Sequence, residues 1–176
     1  MADRNVALFG PESAGKSTLL EGLFKAAEYV AGDAELYDKD NARVVEYEYE
    51  GRSWAIYDFK DADALAEAAQ NSELNGAVMV VNCWDGPIGL HDTMFMLEDC
   101  GVETVACAAV GYDTIDTDEE TERLLACEIR EIFDEHALDG DEASVIFLYA
   151  DAAANGDKLG IAMAWSLLEA IDEHIG

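Results

Sequence analysis

Residues Gly10-Pro11-Glu12-Ser13-Ala14-Gly15-Lys16-Ser17-Thr18 fit the pattern G-x-x-x-x-G-K-[ST]. This pattern has physical meaning only between a strand and a helix. The apolar run Val6–Phe9 precedes it, and a helical pattern begins near Lys16. The glycines let the backbone curl so that several N–H groups converge on one phosphate. The helix start adds the positive end of its dipole. Lys16 brings a compact cation to the terminal phosphates, and the Ser17 hydroxyl is suited to ligate Mg²⁺. Gly10, Ser13, Ala14, Gly15, Lys16, Ser17 and Thr18 are therefore the candidate phosphate-binding residues. A Gly-rich turn with a purely structural role is the competing account.

The surface chemistry narrows the partners. The chain has 176 residues, with 39 acidic against 10 basic side chains and a net charge of −29. Such a surface repels nucleic acid and anionic membranes at low salt. The acids are spread through apolar segments, not gathered into a tail, which argues for a folded chain. Adaptation to a salt-rich cytoplasm accounts for this charge, with a designed acidic protein as the alternative. No run of eighteen apolar residues suggests a membrane span, and Met1–Asn5 does not read as a signal peptide. The four cysteines, Cys83, Cys100, Cys107 and Cys127, lack metal-ligand spacing and read as buried reduced thiols of a cytoplasmic protein.

Apolar runs alternate with helical patterns, which implies one α/β domain over residues 1–176. Strands are expected at Arg4–Phe9, Val44–Glu50, Ser53–Tyr57, Gly76–Val81, Val102–Val110 and Ser144–Tyr149. The alternation of Val44–Glu50 suggests a strand near a sheet edge, and Ala31–Asn41 reads as a polar loop. Helices are expected from Lys16 to about Val30, Asp61 to Glu73, Leu90 to Asp99, Thr117 to about His136 and Lys158 to Ile175. Thr117 with Glu120 three residues later reads as a capping box. The expected architecture is thus a mostly parallel six-stranded sheet flanked by about five helices, in the three-layer P-loop NTPase manner, with ligands at the carboxyl ends of the strands.

Taken together, the phosphate loop, Asp58 after the third strand, and Asn75–Val81 followed by Trp84-Asp85-Gly86-Pro87 resemble the GTP-binding domain of translational GTPases, the elongation factor Tu class. Cys100-Gly101-Val102, Asp113 and the closing helix with Trp165 and Ile171-Asp172-Glu173 match in order and spacing. The resemblance implies GTP/GDP and Mg²⁺ as cofactors. It implies Ser17 and Asp58 at the metal, Asp113 on the guanine edge and Ala150 as a backbone contact to the base. A protein partner, or further domains of a longer translation-factor-like protein, would accompany such a domain.

The family's switching parts have changed. Its D-x-P-G-H reads Asp58-Phe59-Lys60-Asp61-Ala62, so the γ-phosphate-sensing glycine and the water-positioning histidine are replaced. No threonine occurs between Leu19 and His91 to serve the first switch. N-K-x-D reads Val110-Gly111-Tyr112-Asp113, and S-A-L reads Tyr149-Ala150-Asp151. Gln70, the one glutamine, lies on an expected helix, and His91, His136 and His174 read as structural or surface residues. Glu12 reads as a surface acid; turned toward a nucleotide, it would repel the γ-phosphate. The acids from Asp116 to Glu122 do not fit a Ca²⁺ loop and read as a charged helix start. The expectation is guanine-nucleotide binding with weak or partner-dependent hydrolysis. The alternatives are a pseudo-GTPase scaffold or regulatory module, and a P-loop ATPase or kinase with altered base choice.

Overall fold

A computed structural model of the chain describes residues 2–112 and 118–175. In chain order the elements are β1 (Arg4–Phe9), α1 (Lys16–Ala31), β2 (Glu35–Lys39), β3 (Ala42–Tyr49), β4 (Arg52–Phe59), α2 (Ala62–Gln70) and β5 (Gly76–Asn82). They continue with α3 (His91–Asp99), β6 (Thr104–Val110), α4 (Glu119–Glu135), β7 (Val145–Leu148), α5 (Ala150–Ala154) and α6 (Lys158–Ile175). The strands form one sheet of order β2-β3-β4-β1-β5-β6-β7. Pairing is parallel from β4 through β7, and β2 and β3 add antiparallel at one side.

Alternation along the central strands divides the core into two faces. Val6 and Leu8 of β1 with Val78 and Val80 of β5 meet α1, α5 and α6 through Leu19, Leu23, Ala153 and Leu167. Ala7 and Phe9 with Met79 and Val81 face α2, α3 and α4 through Leu65, Leu97 and Ile129. Both faces are covered, which is why Gly76–Asn82 and Thr104–Val110 are apolar almost throughout. The architecture is therefore a three-layer α/β arrangement around a seven-stranded, mostly parallel sheet.

The departures from the sequence expectation have local causes. Residues Glu35–Lys39, expected in a loop, form the edge strand β2, and β3 lies next to it, near the edge as its alternation suggests. The sheet has seven strands, not six, and six α-helices are described, not five. The extra helix is the short α5 directly after β7. The expected cap at Thr117 lies outside the described residues. Asp118 caps α4, its carboxylate accepting from the Thr121 N–H and from the Thr121 hydroxyl, each at 2.9 Å. These two bonds from Thr121, backbone and side chain, hold the Asp118 carboxyl below its ordinary value. Of the thiols, Cys107 is buried, whereas Cys127 is exposed on α4. Burial pushes the Cys107 thiol up. Among the described residues no helix is long and apolar enough to cross a membrane.

The charge sets the conditions under which this core holds. Ion pairs such as Lys25–Glu28 and Arg52–Asp172 sit at exposed or half-buried positions and offset little of the net −29. At molar salt the screening length falls to about 3 Å. The melting temperature should therefore rise between about 0.1 and 2 M KCl. A melting temperature independent of KCl would contradict the reading of the surface as salt-adapted.

Candidate functional site

The loop after β1 lies at the carboxyl end of the sheet, with β4 on one side of β1 and β5 on the other. Chain connections leave β1 and β4 toward opposite faces, α1 covering one and α2 the other, which opens a crevice here. The loop makes a 3₁₀ turn at Glu12–Ala14, closed by the Ala14 N–H donating to the Pro11 carbonyl at 2.9 Å. Gly15, in a left-handed conformation, passes the chain from this turn into α1. At Gly10 the loop passes so close to β5 that a Cβ would stand 2.6 Å from the Val80 carbonyl oxygen. No larger residue fits there without moving one of the two backbones.

Three hydrogen bonds define the site. The Ser17 hydroxyl donates to Asp58 Oδ2 at 2.7 Å, joining the first turn of α1 to the end of β4. Asp58 is buried, and its strand is held parallel to β1 with Leu8 opposite it. Lys16 Nζ donates to the carbonyls of Gly10 at 2.8 Å and Pro11 at 3.1 Å, folding the ammonium back over the loop. Desolvation lowers the Lys16 pKa from its ordinary value, and the nearby charges of Asp58 and Glu12 oppose that shift.

A cleft of about 350 Å³ is lined by Gly15, Lys16, Ser17 and Thr18 together with Asp58. Glu12 also lines it, although its side chain is exposed. The surface reading of Glu12 is therefore incomplete, since its carboxylate is close enough to act on the Lys16 ammonium. Ser13 is exposed on the 3₁₀ turn, and Ala14 is buried beneath it. Asp113 lies outside the described residues. Ala150 opens α5 directly after β7, with its carbonyl against Gly22 of α1. Beside it, at the ends of β6 and β7, the rings of Tyr112 and Tyr149 stack with centroids 5.8 Å apart.

Several residues weighed from sequence take other places. Asp61, where the related pattern has glycine, caps α2 by accepting from the Ala64 N–H at 2.8 Å. Ala62 is the first residue of that helix, and Gln70 is exposed at its end. His136 is buried at the end of α4, its Nδ1 3.1 Å from Glu98 Oε1 and its Nε2 2.9 Å from His91 Nδ1. These contacts join α3 to α4, and neither histidine lines the Lys16 cleft.

The sequence reading missed Asp38, Arg43 and Lys60, which complete the cleft wall. The signal for Arg43 was present in the hairpin. Glu50 and Gly51 both have positive φ, as a two-residue primed turn requires, and that turn sets Arg43 opposite Asp58.

Chemically, the loop and the start of α1 offer N–H donors and an ammonium to an oxyanion. Ser17 and Asp58 offer one hydroxyl and one carboxylate, hard oxygen donors of the kind Mg²⁺ takes while keeping most of its waters. No protein-family model matches this chain.

Proposed function

We propose that the chain binds a nucleoside di- or triphosphate together with Mg²⁺, and that GTP and GDP are its ligands. On this reading the fold is that of a P-loop NTPase, and the domain is a divergent relative of the GTP-binding domain of translational GTPases. The observation that carries the reading is the 2.7 Å Ser17–Asp58 hydrogen bond beside Lys16, at the mouth of α1. Ser17 and Asp58 would hold Mg²⁺, directly or through water. When bound, the ion would neutralise charge on the β- and γ-oxygens. Lys16 would exchange the loop carbonyls for phosphate oxygens, and the loop N–H groups would fix the phosphate chain. The stacked Tyr112 and Tyr149 rings offer an aromatic surface where the related family carries a lysine over the base.

Turnover should be slow. Asp61 and Ala62 begin a helix in place of a glycine and a water-positioning histidine, and Glu12 brings a like charge toward the γ-phosphate. A protein partner, or another domain of a longer chain, would supply the missing water-orienting group.

Titration with labelled GTP, GDP, ATP and ADP at molar KCl with Mg²⁺ tests the reading. Binding of GTP and GDP in preference to the adenine nucleotides is the expected result. Binding of none would support a scaffold that has lost the ligand, and an ATP preference would support an ATPase or kinase. Hydrolysis of GTP faster than about 10⁻² s⁻¹, near the rate of a GTPase with its own arginine, would contradict weak catalysis.

A further inference from the structure

Lys16, Arg43 and Lys60 are three of only ten basic residues in a chain of net charge −29, and all three line the same cleft. Lys60 is occupied by backbone, its Nζ donating to the Asp40 carbonyl at 2.8 Å. Arg43 is held only by side chains. Its Nη1 donates to Glu21 Oε1 at 3.0 Å, and its Nε lies 3.9 Å from Asp38 Oδ1. Both carboxylates are well exposed, 47% for Glu21 and 80% for Asp38, so water competes for the guanidinium and the hold is weak.

The register explains why Arg43 is at this place. It pairs directly with Asp58 across β3 and β4, so the two side chains leave the same face of the sheet, from Cα atoms about 5 Å apart. Asp58 points to Ser17. Arg43 points to Glu21, four residues further along α1 on the same side and about 6 Å along its axis. The guanidinium thus rests roughly one helical turn from the mouth of α1, a distance that rotation of its own side chain can cover.

We propose that Arg43 is a phosphate-contacting residue of the nucleotide site, exchanging Glu21 and Asp38 for the terminal phosphate of a bound nucleoside triphosphate. The assignment rests on the nucleotide reading above. A Mg-bound triphosphate carries more negative charge than the diphosphate, and Lys16 alone compensates little of it. A guanidinium can place two parallel N–H donors on one phosphate, which an ammonium cannot. Arg43 therefore sets the preference for triphosphate over diphosphate.

The test is the ratio of affinities for GTPγS and GDP, measured with Mg²⁺ at molar KCl on the wild type, Arg43→Ala, Arg43→Lys and Glu21→Gln. Arg43→Ala should weaken GTPγS binding by about tenfold or more while GDP changes less than about twofold, since charge-assisted bonds to the terminal phosphate are lost. Arg43→Lys should fall between the two. Glu21→Gln keeps the arginine but loosens its resting partner, and should tighten GTPγS binding by about two- to threefold. An Arg43→Ala variant with an unchanged GTPγS-to-GDP ratio, or a Glu21→Gln variant that weakens GTPγS, overturns the assignment while leaving nucleotide binding intact. A wild type that binds neither ligand overturns the nucleotide reading, and this assignment falls with it.

Discussion

Lys16→Ala is expected to weaken binding of GTP and GDP by about 30- to 5,000-fold, because loss of one partner of a partly buried charge pair costs about 2–5 kcal/mol. The two hydrogen bonds that Lys16 makes in the free protein go to the loop carbonyls of Gly10 and Pro11. Their loss frees two acceptors near solvent and should shift the melting temperature little. Binding and stability thus separate in this variant. The pH dependence carries a further sign. Lys16 binds phosphate in its charged form, and desolvation lowers its pKa despite the opposing charges of Asp58 and Glu12. The alkaline loss of affinity should therefore begin below the pH at which an ordinary lysine titrates. Glu12→Gln would remove one of the charges that stabilise the ammonium and also the repulsion toward the γ-phosphate. Equal affinity of the Lys16→Ala variant and the wild type would remove this residue from the site.

Gly160→Ala should destabilise the fold by at least ~3 kcal/mol, the upper range for forcing an atom into a packed core, and lower the melting temperature by roughly 6–12 °C. A Cβ at position 160 would stand 2.4 Å from the Ala153 nitrogen and 2.8 Å from the Ala152 carbonyl carbon. These are backbone atoms of α5, so no rotamer change relieves the clash. The first turn of α6 would have to move away from α5. Asp157 fixes that turn by accepting from the N–H groups of Leu159 and Gly160 at 3.0 and 3.1 Å. Movement would also disturb the contact of α5 with Gly22 of α1, because Ala153 Cβ lies against that glycine. Thermal unfolding in molar KCl reads the effect. A melting temperature within about 2 °C of the wild type would show that the helices part easily.

Long-range order was legible where one physical signal dominated. Arg4–Phe9 and Lys158–Ile175 have the bounds read from sequence, since a continuous apolar run and a long helical stripe each permit few alternatives. β2 was missed because Leu36 and Tyr37 are adjacent and both half-buried, so no period-two pattern marks the strand. Its strand character comes from pairing with β3, which no local propensity announces. By residue type Thr117 and Asp118 are both good caps, so the sequence alone does not choose between them. The two bonds that Thr121 donates to Asp118 are visible only in three dimensions.

For the site, the motif named the loop and the resemblance named Asp58. What was not read is the convergence of Arg43 and Glu12 on the same cleft. Arg43 required the hairpin register, and Glu12 required the path of the 3₁₀ turn.

Equilibrium binding of GTP to the wild-type chain at molar KCl, with Mg²⁺ and then with the metal chelated, tests the central claim most directly. Ser17 and Asp58 face each other at 2.7 Å, where a hard cation would join them to the phosphates. The account predicts saturable one-to-one binding that weakens by about tenfold or more when Mg²⁺ is withdrawn, as loss of a cation shared by protein and phosphate requires. Absence of saturable binding, or equal affinity with and without Mg²⁺, would contradict it.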